Sequence, residues 1–293
     1  MKGLGTRLLT AAVAIPILVG IVGWTPWYGF GILAVIALGI ALFELFSMTL
    51  HHETKSMKLF MTIWGLLTMS GIVAVWKVPS AWGYPHAPMS LPIFLFSMLG
   101  LFFIFLAARG RSEDLSPVPN HFHAAFFGVF YISLCGSHII LLGRIPDVMA
   151  SGSLALTHAG WIFLALLTNW GSDTGGYFFG KLIGGPKLYP SVSPNKTWAG
   201  LLGCNVGAIL GAYITKLTAL PLLTIVDCVI VGLIVGSIGQ MGDFFESMLK
   251  RAHKVKDTGA ILPGHGGLLD RIDALLATGP ILYYYATWFV LVR

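Results

Sequence analysis

Charge is what this sequence has least of. Of its 293 residues only 10% are charged and 56% are hydrophobic, and the mean hydropathy is +0.82. A water-soluble globular chain carries about 25% charged residues. So little charge excludes a water-covered globule and makes lipid the solvent. Acidic residues are the scarcer sign: 12 against 18 Lys and Arg, a formal +6. On a soluble chain that excess would suggest nucleic acid. On a membrane chain it points to helix orientation and to anionic headgroups or substrates.

Cysteine is scarce as well. Cys135, Cys204 and Cys228 each sit alone in an apolar run. Their odd number and lack of metal-ligand spacing exclude a disulfide framework or a zinc cluster. They read as small buried apolar residues. Alternating apolar and polar positions are missing too, so strands and a membrane barrel are not expected. No internal repeat, soluble domain or Walker A loop is present.

What the chain does have is long apolar runs. A spanning helix needs about 20 mostly apolar residues. Nine segments meet or approach this: 8–24, 29–50, 59–76, 91–108, 122–143, 158–179, 198–215, 222–246 and 272–291. Lys2 and Arg7 before the first run resemble a signal peptide. The run continues to Trp24 and a second follows at once, so a retained first helix is expected. With the N-terminus inside, 14 of the 18 Lys and Arg fall in inside loops; only Lys77, Arg144, Lys216 and Arg293 fall outside. The expected fold is therefore all-α and polytopic, with nine transmembrane helices, a cytoplasmic N-terminus and an outside C-terminus. Residues 1–157 would form a scaffold of helices 1–5. Residues 158–293 would hold helices 6–9 and the chemical loops.

Charge gathers in one place, Asp243–Asp273, where 31 residues hold five basic and five acidic side chains. Asp243, Ser247 and Lys250 are spaced i, i+4, i+7 and share one helical face. A carboxylate, a hydroxyl and an ammonium so placed can hold a metal and a phosphate together. Gly236, Gly239 and Gly242 would let a helix or a ligand approach that helix closely. Asp270 and Asp273 open the last helix with Arg271 between them, where the dipole favours carboxylates by about 0.3–1 kcal/mol. Mg²⁺ uses one or two protein carboxylates plus waters and phosphates, so Asp243 and Asp270 read as its ligand pair. Lys250, Arg251, Lys254, Lys256 and Arg271 supply the positive charge that phosphates need. The P-G-H-G-G run lets backbone N–H groups approach an anion through Gly266 and Gly267. His265 either joins them or pins the loop.

A second cluster precedes it. Asp173 is an ionisable residue inside an apolar helix, either functional or paired with Ser172 or Asn169. In S-V-S-P-N-K-T-W-A-G, Ser193, Lys196 and Thr197 stand at a helix entry. They would either bind an anion or cap the helix. Glu44, near the end of helix 2, would face an interior cavity or snorkel.

The stretch S-M-L-K-R-A-H-K-V-K-D-T-G-A-I-L-P-G-H-G-G-L-L-D-R-I-D, Ser247 to Asp273, resembles the signature of the phosphatidate cytidylyltransferases, the CDP-diacylglycerol synthases. G-Q-M-G-D, D-T-G-G-Y-F-F-G-K and S-P-N-K-T-W-A-G resemble further segments of that family in the same order. The resemblance covers roughly residues 160–291. It implies a membrane enzyme that makes CDP-diacylglycerol and pyrophosphate from CTP and phosphatidic acid. Mg²⁺ would sit on Asp243 and Asp270, with a second, monovalent cation such as K⁺ beside it. Asp243, Lys250, Asp270 and Arg271 would be catalytic. Asp173, Ser193, Lys196, Thr197, Ser247, Arg251, Lys256, Asp257, His265, Gly266, Gly267 and Asp273 would contact substrate. A bacterial inner membrane, a cytoplasm-facing site and a homodimer are the further expectations.

Two rivals lead elsewhere. An ion-coupled transporter needs key charges near the midplane and an inverted repeat; the densest charge here lies at one face. Another lipid-linked nucleotidyl- or phosphotransferase would use a dense D-x-x-D motif. Asp270 and Asp273 have that spacing, but no further acids follow them.

Overall fold

A computed structural model of the chain describes residues 2–50, 53–75, 90–109, 114–145, 159–261 and 266–291. Among these, helices occupy nine stretches, one at each apolar segment. They are α1 (Lys2–Trp24), α2 (Trp27–Thr49), α3 (Lys55–Val75), α4 (Ser90–Arg109) and α5 (Val118–Leu142), the last passing through a π turn at Val129–Leu134. Then come α6 (Gly160–Leu182), α7 (Trp198–Thr218), α8 (Ile225–Ala252) and α9 (Leu269–Tyr285), which closes in a π turn at Ala286–Val290. The described residues contain no strand, only a single antiparallel bridge between Lys187 and Thr197.

Five of these helices are long and apolar enough to cross a membrane: α2, α3, α5, α7 and α8. Shorter apolar stretches lie in α1 (Ala12–Trp24) and α4 (Leu91–Ala107). The outward faces are apolar. Phe96 and Phe103 on α4 are 72% and 70% exposed, and Leu67 on α3 and Leu202, Leu210 and Leu217 on the helix Trp198–Thr218 are exposed too. Water would penalise that surface; hydrocarbon would not.

Two apolar cores organise the bundle. One joins α2, α3, α4 and α5 around Leu42, Phe46, Met61, Leu101 and Ile132. The other joins α6, α7, α8 and α9 around Trp161, Leu164, Ala208, Val231, Val235 and Leu282. Within the second, α6 and α7 approach to backbone contact. A Cβ built at Gly171 or Gly175 would collide with the carbonyls of Gly207 or Gly203, and the reverse holds too. The glycines of α8 serve the same purpose toward helices, not toward a ligand. Gly232 and Gly236 press on Ile209 and Asn205 of α7, and Gly242 presses on Asp273, Ala274 and Ala277 of α9.

Helix α8 is longer than the apolar segment 222–246 that announces it. It opens with a capping box: Thr224 accepts from the Asp227 amide, and the Asp227 carboxylate accepts from the Thr224 amide. Its 28 residues rise about 42 Å at 1.5 Å each, more than the roughly 30 Å of a hydrocarbon core. Its end is also defined. The Val255 amide donates to the Lys250 carbonyl at 2.9 Å, and Lys254 takes φ 58. That is a left-handed stop made with a lysine where glycine is usual. Lys250 and Arg251 are therefore helical and fixed in direction.

Candidate active site

The loop between α6 and α7 folds back on itself. Gly184 and Gly185 take φ of +68° and +94°, in the left-handed region where glycine is at ease. The Leu188 amide then donates to the Lys196 carbonyl at 3.1 Å. This turn lays Lys196 at the mouth of α7. Its ammonium donates to Asp243 Oδ2 on α8 at 2.5 Å and lies 4.5 Å from the centre of the Phe244 ring. Ser247 Oγ donates to the other oxygen, Asp243 Oδ1, at 3.3 Å. So the one-face alignment of Asp243 and Ser247 is real, and a lysine from another helix completes it.

A cavity of about 440 Å³ opens beside this pair, lined among others by Asp173, Lys181, Lys196, Thr197, Gln240 and Asp243. Asp173 is exposed into it. Asn169 is not its partner; that side chain donates to the Ala165 carbonyl and to Thr278 Oγ1. Thr197 lines the cavity and also caps a helix. Its hydroxyl accepts from the Gly200 amide at 3.1 Å and caps α7, so it is engaged by the helix it starts. A larger cavity, about 550 Å³, lies apart from this chemistry between α2, α5 and the end of α8, where His121 pairs with Glu53 at 2.7 Å.

The second half of the site is built where α8 meets α9. Lys250 Nζ lies 2.6 Å from Asp270 Oδ1 and 2.9 Å from Glu246 Oε1. Asp270 Oδ2 accepts from the Gly267 amide at 2.8 Å, the Thr258 amide at 2.9 Å and Thr258 Oγ1 at 3.1 Å. Asp270 stands on the first turn of α9, ahead of its apolar part. Burial pushes its pKa up. The bonds from Lys250, Thr258 and Gly267 outweigh burial and hold it below the usual carboxylate range. It stays ionised at neutral pH. Gly266 takes φ +80, and a Cβ there would press on Asp270 and Asp257; that glycine is required on both counts.

Other expected residues lie around this cluster. Arg251 Nη1 donates to the Val255 carbonyl at 3.2 Å and so finishes α8. Asp273 is buried at the α8–α9 contact, its Oδ1 accepting from the Ala274 amide at 2.7 Å, and it does not line the cavity. Arg271, Lys256 and Asp257 are exposed, and Ser193 is half-buried in the α6–α7 loop. His265 lies outside the described residues.

Glu246 and Thr258 escape the sequence reading; Glu44, read there as facing a cavity or snorkelling, is instead buried against the start of α9. Glu246 is fully buried, and neither of its carboxylate oxygens has a well-directed hydrogen-bond partner, although the Lys250 ammonium is close. Its spacing was available: three after Asp243 and four before Lys250. Thr258, which holds Asp270, had no signal beyond its place in the motif. Glu44 is 4% exposed and accepts from the amides of Leu268 and Leu269 at the start of α9.

The donor set suits a hard divalent cation. Every acid here is an oxygen donor, and Asp243, Glu246 and Asp270 each lie beside an ammonium group. Glu246 in particular is a buried acid short of well-directed hydrogen bonds. One or two such carboxylates, with water and phosphate oxygens, meet the needs of Mg²⁺. Among the described residues no group of three or more His, Cys, Asp or Glu forms an all-protein metal cage. The substrate would have to complete the coordination.

The chain matches known proteins over almost its whole length. The model of the cytidylyltransferase family matches residues 5–289. A phosphatidate cytidylyltransferase of Bacillus subtilis is 32% identical over 297 residues, covering 99% of this chain and 100% of the relative. One of Brucella suis is 32% identical over 294 residues, covering 99% and 95%. One of Staphylococcus epidermidis is 42% identical over 122 residues, covering 42% and 47%.

Proposed function

We infer that this chain, which belongs to the cytidylyltransferase family, transfers CMP from CTP to phosphatidic acid, forming CDP-diacylglycerol and pyrophosphate. It is a CTP-dependent nucleotidyltransferase of phospholipid synthesis and an integral membrane protein with several apolar helices. The observation that carries the reading is the pairing of two carboxylates with two lysines on separate elements, Asp243 with Lys196 at an open cavity and Asp270 with Lys250 where α8 meets α9.

A phosphate oxygen of phosphatidic acid attacks the α-phosphorus of CTP. A P–O bond forms there, the bond to the pyrophosphate oxygen breaks, and pyrophosphate leaves with the electron pair. The nucleophile is already an anion, so no strong base is needed. The difficulty is holding two anions together. Lys196 and Lys181 at the cavity and Lys250 behind Asp270 oppose that repulsion. Asp243 and Asp270 would hold Mg²⁺, whose charge, when bound, neutralises phosphate oxygens and the leaving group. A monovalent cation such as K⁺ beside it belongs to the same proposal, as does a homodimer.

The remaining reading concerns the membrane. All nine helices cross it, the N-terminus is cytoplasmic, and the site faces the cytoplasm at a bacterial inner membrane. Fourteen of eighteen Lys and Arg on one side support this orientation. So does α8, whose last turns outrun the hydrocarbon and bring Ser247 and Lys250 to the interface. There an acyl-chain substrate and a soluble triphosphate can meet.

The deciding assay is purified protein in detergent with labelled CTP, phosphatidic acid and Mg²⁺. Labelled CDP-lipid is the expected product. Folded protein that yields none would sink the reading.

A further inference from the structure

We propose that Glu44 is a positioning residue for the transfer reaction: from α2 it clamps the α8–α9 loop and the start of α9, and so sets Asp270. The proposal rests on the function just inferred, and its test has an arm that does not.

Consecutive donors at the start of α9 are shared between two carboxylates. The Gly267 amide goes to Asp270 Oδ2 at 2.8 Å. The next two amides, Leu268 and Leu269, go to Glu44 Oε1 at 3.1 Å and Oε2 at 2.9 Å. Thr258 joins the two acids. Its hydroxyl lies 3.1 Å from Asp270 Oδ2 and 3.3 Å from Glu44 Oε2. One hydroxyl has one proton, so it serves one acid at a time. Glu44 is thus the alternative acceptor that lets Asp270 release the Thr258 hydroxyl and keep a lone pair for a ligand.

The fit around Glu44 is close on every side. A Cβ added to Gly259 would collide with Glu44 Oε1, and one added to Gly267 would collide with Thr258 Oγ1 and Glu44 Oε2. Two glycines of the charged loop are therefore small because a carboxylate from the N-terminal half occupies their space. The carboxylate itself is buried. Its compensation comes from backbone donors and the positive end of the α9 dipole. A lipid-facing or snorkelling glutamate would need none of these contacts. Glu44 does not line the cavity that holds Asp173, Lys196 and Asp243, so it acts on the reaction only through what it holds.

The test uses the full-length protein with Glu44→Gln and Glu44→Ala, read by kinetics and by amide hydrogen exchange. Gln keeps the length and one acceptor oxygen but sets an NH₂ against inward-pointing donors. We expect kcat to fall about tenfold in Gln and about a hundredfold in Ala, with KM for CTP moving less than about threefold. The Leu268 and Leu269 amides should exchange at least about tenfold faster in both variants, with α2, α6 and α7 unchanged. Thr258→Val should lower kcat too, and adding Glu44→Gln to it should cost little more.

Wild-type kcat in both Glu44 variants would overturn the proposal. So would exchange that quickens throughout α2–α5, because Glu44 would then be a general core residue. Fully multiplying effects of Glu44→Gln and Thr258→Val would also overturn the route through Thr258. If the wild-type protein makes no CDP-lipid, the functional reading fails, and exchange at Leu268 and Leu269 still decides whether Glu44 holds the loop.

Discussion

The ammonium of Lys250 lies 2.6 Å from Asp270 Oδ1, joining α8 to the first turn of α9. The same ammonium is 2.9 Å from Glu246, whose carboxylate is fully buried. Two acids therefore depend on one lysine. Lys250→Met should lower turnover by at least about a hundredfold and stability by about 3 kcal/mol, because it removes the counter-charge of Asp270 and leaves buried Glu246 without its one close polar neighbour. The double variant Lys250→Met/Glu246→Gln should recover much of that stability and none of the activity. Thermal unfolding in detergent and CDP-lipid formation separate the two effects. If stability were unchanged in the single variant, the ion pair would have no structural part.

Lys196 and Thr197 are neighbours with different tasks. The Lys196 ammonium meets Asp243 inside the cavity, while the Thr197 hydroxyl caps α7. Lys196→Ala should raise KM for CTP by about ten- to a hundredfold with little change in melting temperature. Thr197→Ala should do the opposite: lose about 1 kcal/mol of stability and leave KM for CTP nearly unchanged. A large KM effect from Thr197→Ala, with stability intact, would return that hydroxyl to the substrate.

How far the sequence disclosed this site follows from the kind of information each residue carries. Asp243 and Ser247 lie one helical turn apart, and periodicity placed them on one face; they do touch. Asp270 was marked as a helix-opening acid, and the structure shows why it must be ionised. Helix positions were legible because apolar runs are local. The contacts of Glu44 and Glu246 were not. Glu44 meets its donors more than 210 residues along the chain, and no local pattern encodes that meeting. Glu246 looked like one more charge at a helix end, where a solvated acid is ordinary. Its burial depends on α9 packing across it. The glycines of α8 were half legible: the sequence required a close approach, and the structure assigns it to α7 and α9.

The α6–α7 contact sets the width of the cavity. Gly207 of α7 meets the Gly171 carbonyl of α6 with no room for a Cβ. Asp173 stands two residues after Gly171, and Lys196 enters α7 eleven residues before Gly207. Gly207→Ala should push the two helices apart, cost about 1–3 kcal/mol, and raise KM for CTP while phosphatidic acid dependence changes less. Unfolding midpoints and two-substrate kinetics would show it. An unaltered midpoint would mean that the helices part without strain.

Metal dependence is the sharpest test of the acids. Chelation should stop turnover, and added Mg²⁺ should restore it. Asp243→Asn and Asp270→Asn should each reduce kcat by at least about a thousandfold and leave the protein folded, since Asn preserves shape and loses the charge a hard cation needs. The two differ in the rest of their surroundings. Asp270 is fixed by four donor contacts before any ligand arrives, whereas among the described residues Asp243 is held by Lys196 and Ser247. Asp270→Asn should therefore also loosen the α8–α9 loop, visible as faster exchange at Thr258 and Gly267, and Asp243→Asn should not. Normal turnover in both variants would refute the assignment of Asp243 and Asp270 as the metal pair. Normal turnover in Asp243→Asn alone would leave Asp270 with Glu246 as the acids that serve it.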